Sequence, residues 1–155
     1  MRADILNAFL TGALGTLTAE TKGPVIRTGL KMESGEAVTD EVTVLVSLVG
    51  ELRGMLLVGM SMKTARQIAA KMVDDPDGGL TEMGFSALAE LGNLIAGKAM
   101  GALEQSGLSA DITPPTIMMG KRTRISTLGL PRFVIPLDTA LGSINVHVAA
   151  DVIKM

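Results

Sequence analysis

The chain of 155 residues has no cysteine, no tryptophan, no tyrosine and 1 histidine. Without cysteine there is no disulfide, no thiolate nucleophile and no Cys-based zinc site. A single histidine, His147, cannot complete a metal cluster or a catalytic triad by itself. Any chemistry therefore falls to carboxylates, amides, hydroxyls or lysine. Aromatics make up 2 % of the chain and the net charge is −2. Bases would find neither stacking platforms nor a basic surface, which argues against a nucleic-acid partner. The 14 Lys and Arg are scattered, apart from "KRTR" at 121–124, which reads as a solvated turn with some attraction for an acidic partner. No uncharged apolar run approaches the roughly eighteen residues of a membrane span. No basic flank followed by an apolar stretch opens the chain. The expectation is one soluble, cytoplasmic domain spanning residues 1–155, long enough to bury a core.

What is present is apolar and patterned: 47 % hydrophobic against 19 % charged. In "RADILNAFLTGALGTLTAE", the positions Ile5, Leu6, Phe9, Leu10, Ala13, Leu14 and Leu17 form a helical stripe that Gly23-Pro24 ends. A short strand is expected near 25–30, then a polar turn at "MESGEAVTDE". The run "VTVLVSLVGELRGMLLVGMS" reads as a β-hairpin turning between Gly50 and Gly54. "MKTARQIAAKMVDD" is a short helix with Ala65, Ile68, Ala69 and Met72 inward, stopped by "DDPDGG". A long helix follows over 81–106, with Thr81 as N-cap and Gly107 as stop. "DITPPTIMMG" is extended and broken by two prolines. "RFVIPLDTALGSINVHVAADVI" is again hairpin-like, with His147 facing away from Val146 and Val148. The 11 methionines are read as core filler, or as part of a dimer or partner surface.

The order conceals a repeat. Laid without gaps over "ELGNLIAGKAMGAL" at 90–103, the segment "DILNAFLTGALGTL" at 4–17 sets acid on acid, Asn7 on Asn93, Ala13 on Ala99, Gly15 on Gly101 and Leu17 on Leu103. Each copy is followed by an extended segment and later a hairpin. This pattern implies two halves sharing one sheet with their long helices packed together, an α+β fold with residues 3–19 and 81–106 as the helices. Two amphipathic helices also match by period alone, and the shared asparagine is what favours duplication.

On the second helix, Ser86, Glu90, Asn93, Gly97 and Gly101 fall along one stripe, while Leu88, Leu91, Ile95 and Ala102 fall elsewhere and can bury. Asparagine is a poor mid-helix residue because its amide competes for backbone hydrogen bonds. Glycine there costs about 1 kcal/mol against alanine. Two readings stand. Glu90 is a solvated residue and Asn93 a satisfied amide, with glycines for packing; or the pair projects into a partner that approaches closely. Packing explains Gly92 and extends to Gly101, but it explains the Glu–Asn pair less well.

"SALAELGNLIAGKA" followed by "DITPPTI" resembles the CheC/CheX/FliY family of chemotaxis phosphatases, and its one-site CheX branch most closely. The family pattern is an Asp or Ser, three residues, Glu, two residues, Asn, and a proline further on. Ser86, Glu90 and Asn93 match it in order; Pro115 falls one residue short, consistent with a one-residue deletion in the loop near Gly107. The resemblance implies a CheC-like fold and dephosphorylation of a phosphorylated CheY-type response regulator. In that family the Asn amide, here Asn93, orients water for in-line attack on the aspartyl phosphate. The Glu, here Glu90, pairs with a lysine of the regulator. Ser86, Gly97, Lys98 and Pro115 would line the docking surface. The chain would need no cofactor of its own, Mg²⁺ being held by the regulator, since phosphoryl transfer rests mainly on positioning and charge stabilisation. A homodimer joined by edge strands is implied as well, because "VTVLVSLV" and "INVHVAADVI" would be hazardous if left unpaired. Asp4 and Asn7 repeat the spacing of Glu90 and Asn93 and are expected to be a vestigial second site, the acid being shorter and placed where the helix dipole alone favours Asp. The competing function is a non-catalytic scaffold of the kind seen in the related switch protein FliM.

Overall fold

A computed structural model of the protein describes residues 2–75, 80–120 and 122–153. The first half runs α1 (Ala3–Thr21), β1 (Val25–Arg27), β2 (Lys31–Glu33), β3 (Ala37–Val38), β4 (Val42–Gly50), β5 (Leu52–Met60) and α2 (Met62–Val73). The second runs α3 (Glu82–Glu104), β6 (Ala110–Ile112), β7 (Thr116–Met119), β8 (Arg124–Ile125), β9 (Arg132–Thr139) and β10 (Gly142–Val152).

One antiparallel sheet has the order β1-β9-β10-β5-β4-β6, with β2 also on β9 and β7 also on β4. Both edge strands are split by proline. Thr28 donates its N–H to the Pro136 carbonyl at 3.0 Å, but Pro136 has no N–H to return, so pairing lapses between β1 and β2. On the opposite edge Thr113 bonds Ser47 through its N–H and through its Oγ1, both at 3.0 Å, before Pro114 and Pro115 interrupt the ladder. The halves are thus interleaved. Each half's edge strand pairs with the first hairpin strand of the other half, and β3 of one half pairs with β8 of the other as a short strap.

Helices cover one face of the sheet. Ile5, Phe9 and Leu17 of α1 and Leu88, Leu91 and Ile95 of α3 are fully buried against Val44, Val46, Leu56, Val58, Ile135, Val146 and Val148. The α1–α3 contact is close because Gly12 has no side chain: a Cβ there would stand 3.0 Å from the Ile95 carbonyl oxygen. The other face carries a smaller cluster, Ala37, Met55, Leu57 and Ala149, closed over by Ile125 and Leu130 of the strap region.

The two long helices, their contact and the duplicated α+β plan agree with the sequence reading. Several details differ. Helix α1 continues to Thr21, where the Lys22 cap adopts a left-handed conformation. The stretch taken as a polar turn holds β2 and β3, short pieces whose partners lie far along the chain. The first hairpin turns tightly at Gly50-Glu51, and Gly54 lies inside β5, where a Cβ would strike the Ala149 carbonyl. Ala102 is exposed rather than buried. Most consequentially, β4 and β10 are interior strands paired on both sides, so neither "VTVLVSLV" nor "INVHVAADVI" forms an edge. The free edges are residues 25–33 and 110–119. Thr81 does cap α3, its Oγ1 accepting from the Gly84 N–H at 3.2 Å. Of "DDPDGG", residues 76–79 lie outside the described residues, as does Lys121 of "KRTR".

Candidate functional site

Helix α3 turns Leu88, Leu91, Gly92, Ile95, Ala96 and Ala99 inward. Gly92 lies on β4, where a Cβ would come within 2.7 Å of Val44 Cγ1, so packing accounts for it. Packing does not account for Gly97 or Gly101. A Cβ at either would meet nothing within 4 Å, which corrects the packing role expected for Gly101. Both residues are exposed, and helix propensity alone would have favoured alanine.

The same exposed stripe holds Ser86 and Glu90, both exposed, and Asn93, half-buried. None of the three has a side-chain hydrogen bond or ion pair among the described residues. Asn93 is therefore not a satisfied interior amide. Its Oδ1 and Nδ2 offer an acceptor and two donors to whatever comes to the helix, and Glu90 stands one turn away as an unpaired carboxylate. Lys98, exposed, flanks the stripe on the side where α1 approaches, its Cβ 3.5 Å from the Cβ position at Gly12. Pro115 is on a different element, half-buried in the β6–β7 break of an edge strand that contacts α3. The sequence reading passed over Met83. Seven residues before Glu90, it lies on the same face and is 66 % exposed; the heptad spacing was the available signal.

The corresponding pair on α1 is placed differently. Asp4 is in the first turn and is held by Arg2, Nη2 to Oδ2 at 2.7 Å and Nε to Oδ1 at 3.1 Å. The Arg2 hydrogen bond holds the Asp4 carboxyl below the usual carboxylate range, aided by the Ile5 N–H. Asn7 is exposed. Glu90 carries no such tether.

Two open clefts, of about 400 and 350 Å³, are lined by Val38, Thr39, Asp40, Glu41 and Arg122, and by Gln67, Ala70, Lys71, Asp74, Asp75 and Leu141. Neither touches the stripe, which is a convex helix surface suited to a macromolecular partner rather than to an enclosed small molecule. Among the described residues no group of three His, Asp or Glu side chains is placed to hold a metal ion. No described helix is long and apolar enough to cross a membrane.

Residues 42–138 match the family described as Chemotaxis phosphatase CheX. The CheY-P phosphatase CheX of Thermotoga maritima is 31 % identical over 132 residues, 84 % of each chain. Among solved structures, the CheX–CheY–BeF3–Mg²⁺ complex from Borrelia burgdorferi aligns with a TM-score of 0.75 and 27 % identity, over 96 % of this chain and 99 % of that one. The chemotaxis protein CheX from Desulfovibrio desulfuricans has the same fold, with a TM-score of 0.83 at 23 % identity over 95 % and 99 % of the two chains.

Proposed function

The chain belongs to the CheX family of chemotaxis phosphatases, and from that premise we propose that Asn93 and Glu90 hydrolyse the aspartyl phosphate of a CheY-type response regulator docked on α3. The observation that carries this reading is that both side chains lack a partner among the described residues, on a helix face cleared by Gly97 and Gly101.

Water attacks phosphorus in line, the bond between phosphorus and the aspartyl oxygen breaks, inorganic phosphate leaves, and the regulator regains its carboxylate. An acyl phosphate needs no covalent intermediate on the phosphatase. What it lacks in solution is a positioned nucleophile, and positioning is what one fixed amide supplies. The Asn93 carboxamide accepts from the water through Oδ1 and donates to it or to a phosphoryl oxygen through Nδ2. Its backbone is held by α3, whose inner face is locked into the core, so only its side-chain rotamer is left to order when the regulator docks. Glu90 pairs with a cationic side chain of the regulator, which sets the register of docking. Ser86, Gly97, Lys98 and Pro115 complete the contact. Mg²⁺ belongs to the regulator, in keeping with the Borrelia burgdorferi CheX–CheY–BeF3–Mg²⁺ complex.

Asp4 and Asn7 are read as a vestigial half-site, because Asp4 is committed to Arg2 and sits at the helix start. The protein is read as cytoplasmic, where its phosphorylated partner resides, and as a homodimer. The dimer contact is assigned to the free edge at 25–33, which leaves Ile26 62 %, Leu30 42 % and Met32 50 % exposed. The direct test of the catalytic reading is phosphate release from a phosphorylated regulator of the same organism, with and without the protein.

A further inference from the structure

We propose that Met83 is an apolar anchor for the regulator on α3, setting affinity and docking orientation rather than the chemical step; this rests on the phosphatase reading above. Isolated exposed apolar residues are common on protein surfaces and need no explanation by themselves. Met83 is distinguished by where it stands. Among the described residues the large apolar side chains left exposed are Ile26, Leu30, Met32, Val38, Val49, Met83, Met119, Leu128 and Ile153. Of these, Met83 is the one carried by a helix, and it is the most exposed at 66 %. It lies about 10 Å along the axis from Glu90, given roughly 1.5 Å per residue, and on the same face.

The neighbouring residues have other work. Gly84 is buried, Phe85 is half-buried, and Thr81 caps the helix. Among the described residues nothing requires a long apolar side chain at position 83, which is left 66 % exposed. The stripe is thus graded from one end to the other: a bulky flexible thioether at Met83, a carboxylate and an amide at Glu90 and Asn93, then open backbone at Gly97 and Gly101. A partner lying along α3 must meet a side chain at the first end and can approach the helix backbone at the other. That asymmetry permits one direction of docking. Methionine suits the role, because its unbranched side chain adapts to a partner surface at small cost.

The test measures steady-state hydrolysis of a phosphorylated CheY-type regulator of the same organism by Met83→Ala, Met83→Leu and, as control, Val49→Ala, an exposed position on the sheet face away from the helices. In parallel, binding of the same regulator loaded with Mg²⁺ and beryllofluoride is measured, which needs no turnover. Met83→Ala is expected to raise KM about five- to thirtyfold with kcat unchanged and to weaken binding in parallel, as loss of a contact made equally in ground and transition states requires. Met83→Leu restores most of the loss and Val49→Ala changes nothing. A parent that hydrolyses the regulator while Met83→Ala keeps the parent KM and binding constant overturns the anchor and leaves the role of Asn93 standing. A parent that binds the loaded regulator through Met83 without hydrolysing the phosphorylated form supports the anchor and overturns the phosphatase reading instead.

Discussion

Asn93 and His147 show how burial and partners decide what a polar side chain does. Asn93 is half-buried on a helix, its amide without a partner among the described residues, a placement that lowers helix propensity and leaves its donors and acceptor open to another molecule. His147 is the opposite case. It sits on the sheet face away from the helices, its Nδ1 buried and without a hydrogen-bond partner among the described residues. Burial pushes its pKa below the ordinary 6.5; the Arg132 guanidinium pushes the same way, while Asp40 and Glu33 oppose. Arg132 is pinned there by Glu33 Oε2 and the Gly35 carbonyl, both at 2.7 Å. Because the folded pKa is depressed, the unfolded chain binds the proton more readily. The stability tied to neutral His147 is complete above the unfolded value, declines as pH falls below it, and stops changing below the folded value. Denaturant midpoints followed from about pH 7 to pH 5 should therefore fall, and the fall should be smaller in His147→Leu. Equal slopes in the two proteins would contradict this account.

The helices contain glycines of two kinds, and their substitutions should move stability in opposite directions. Gly92→Ala forces a methyl to within 2.7 Å of Val44 Cγ1 in a packed core and should cost about 1–3 kcal/mol. Gly97→Ala meets open space and should gain about 0.5–1 kcal/mol from helix propensity. The same Gly97→Ala protein should bind the regulator more weakly. Thermal unfolding and calorimetric titration read the two effects separately, and a gain in both would remove the case for close approach. The stripe containing Ser86, Glu90 and Asn93 was legible in the sequence because a helix repeats locally, every 3.6 residues, and its apolar side identifies its polar side. The pairing of the edge strands was not, although short extended segments near 25–30 and at 111–120 were. Residues 25–33 gain their conformation from β9, about a hundred positions later, and the lapse between β1 and β2 comes from Pro136 on that partner strand. Apolar content misled in the same way: β4 and β10 looked like dangerous edges because the sequence does not state which strands flank them. Met83 shares the heptad spacing of the stripe, but exposure in the fold is what separates it from a core methionine.

For the whole molecule, the duplication is an interleaved one. Each half lends an edge strand to the other's hairpin, so neither half has a complete sheet alone and the chain should unfold as one cooperative unit. The repeat also set two acid–amide pairs on neighbouring helices and left them unequal, Asp4 tied to Arg2 and Glu90 without a partner among the described residues. Sedimentation at micromolar concentration is expected to give a dimer, and Met32→Lys at the 25–33 edge to weaken it; a parent that sediments as a monomer rules the dimer out. The measurement closest to the central claim is the rate of phosphate release from a phosphorylated CheY-type regulator in the presence of Asn93→Ala, alongside its affinity for the beryllofluoride-loaded regulator. Alanine at position 93 favours the helix, so folding does not confuse the result. The account predicts that most of the rate acceleration disappears while binding stays close to the parent's, since an interaction made mainly in the transition state has been removed. A folded Asn93→Ala protein that binds the regulator and still releases phosphate at the parent rate would contradict it.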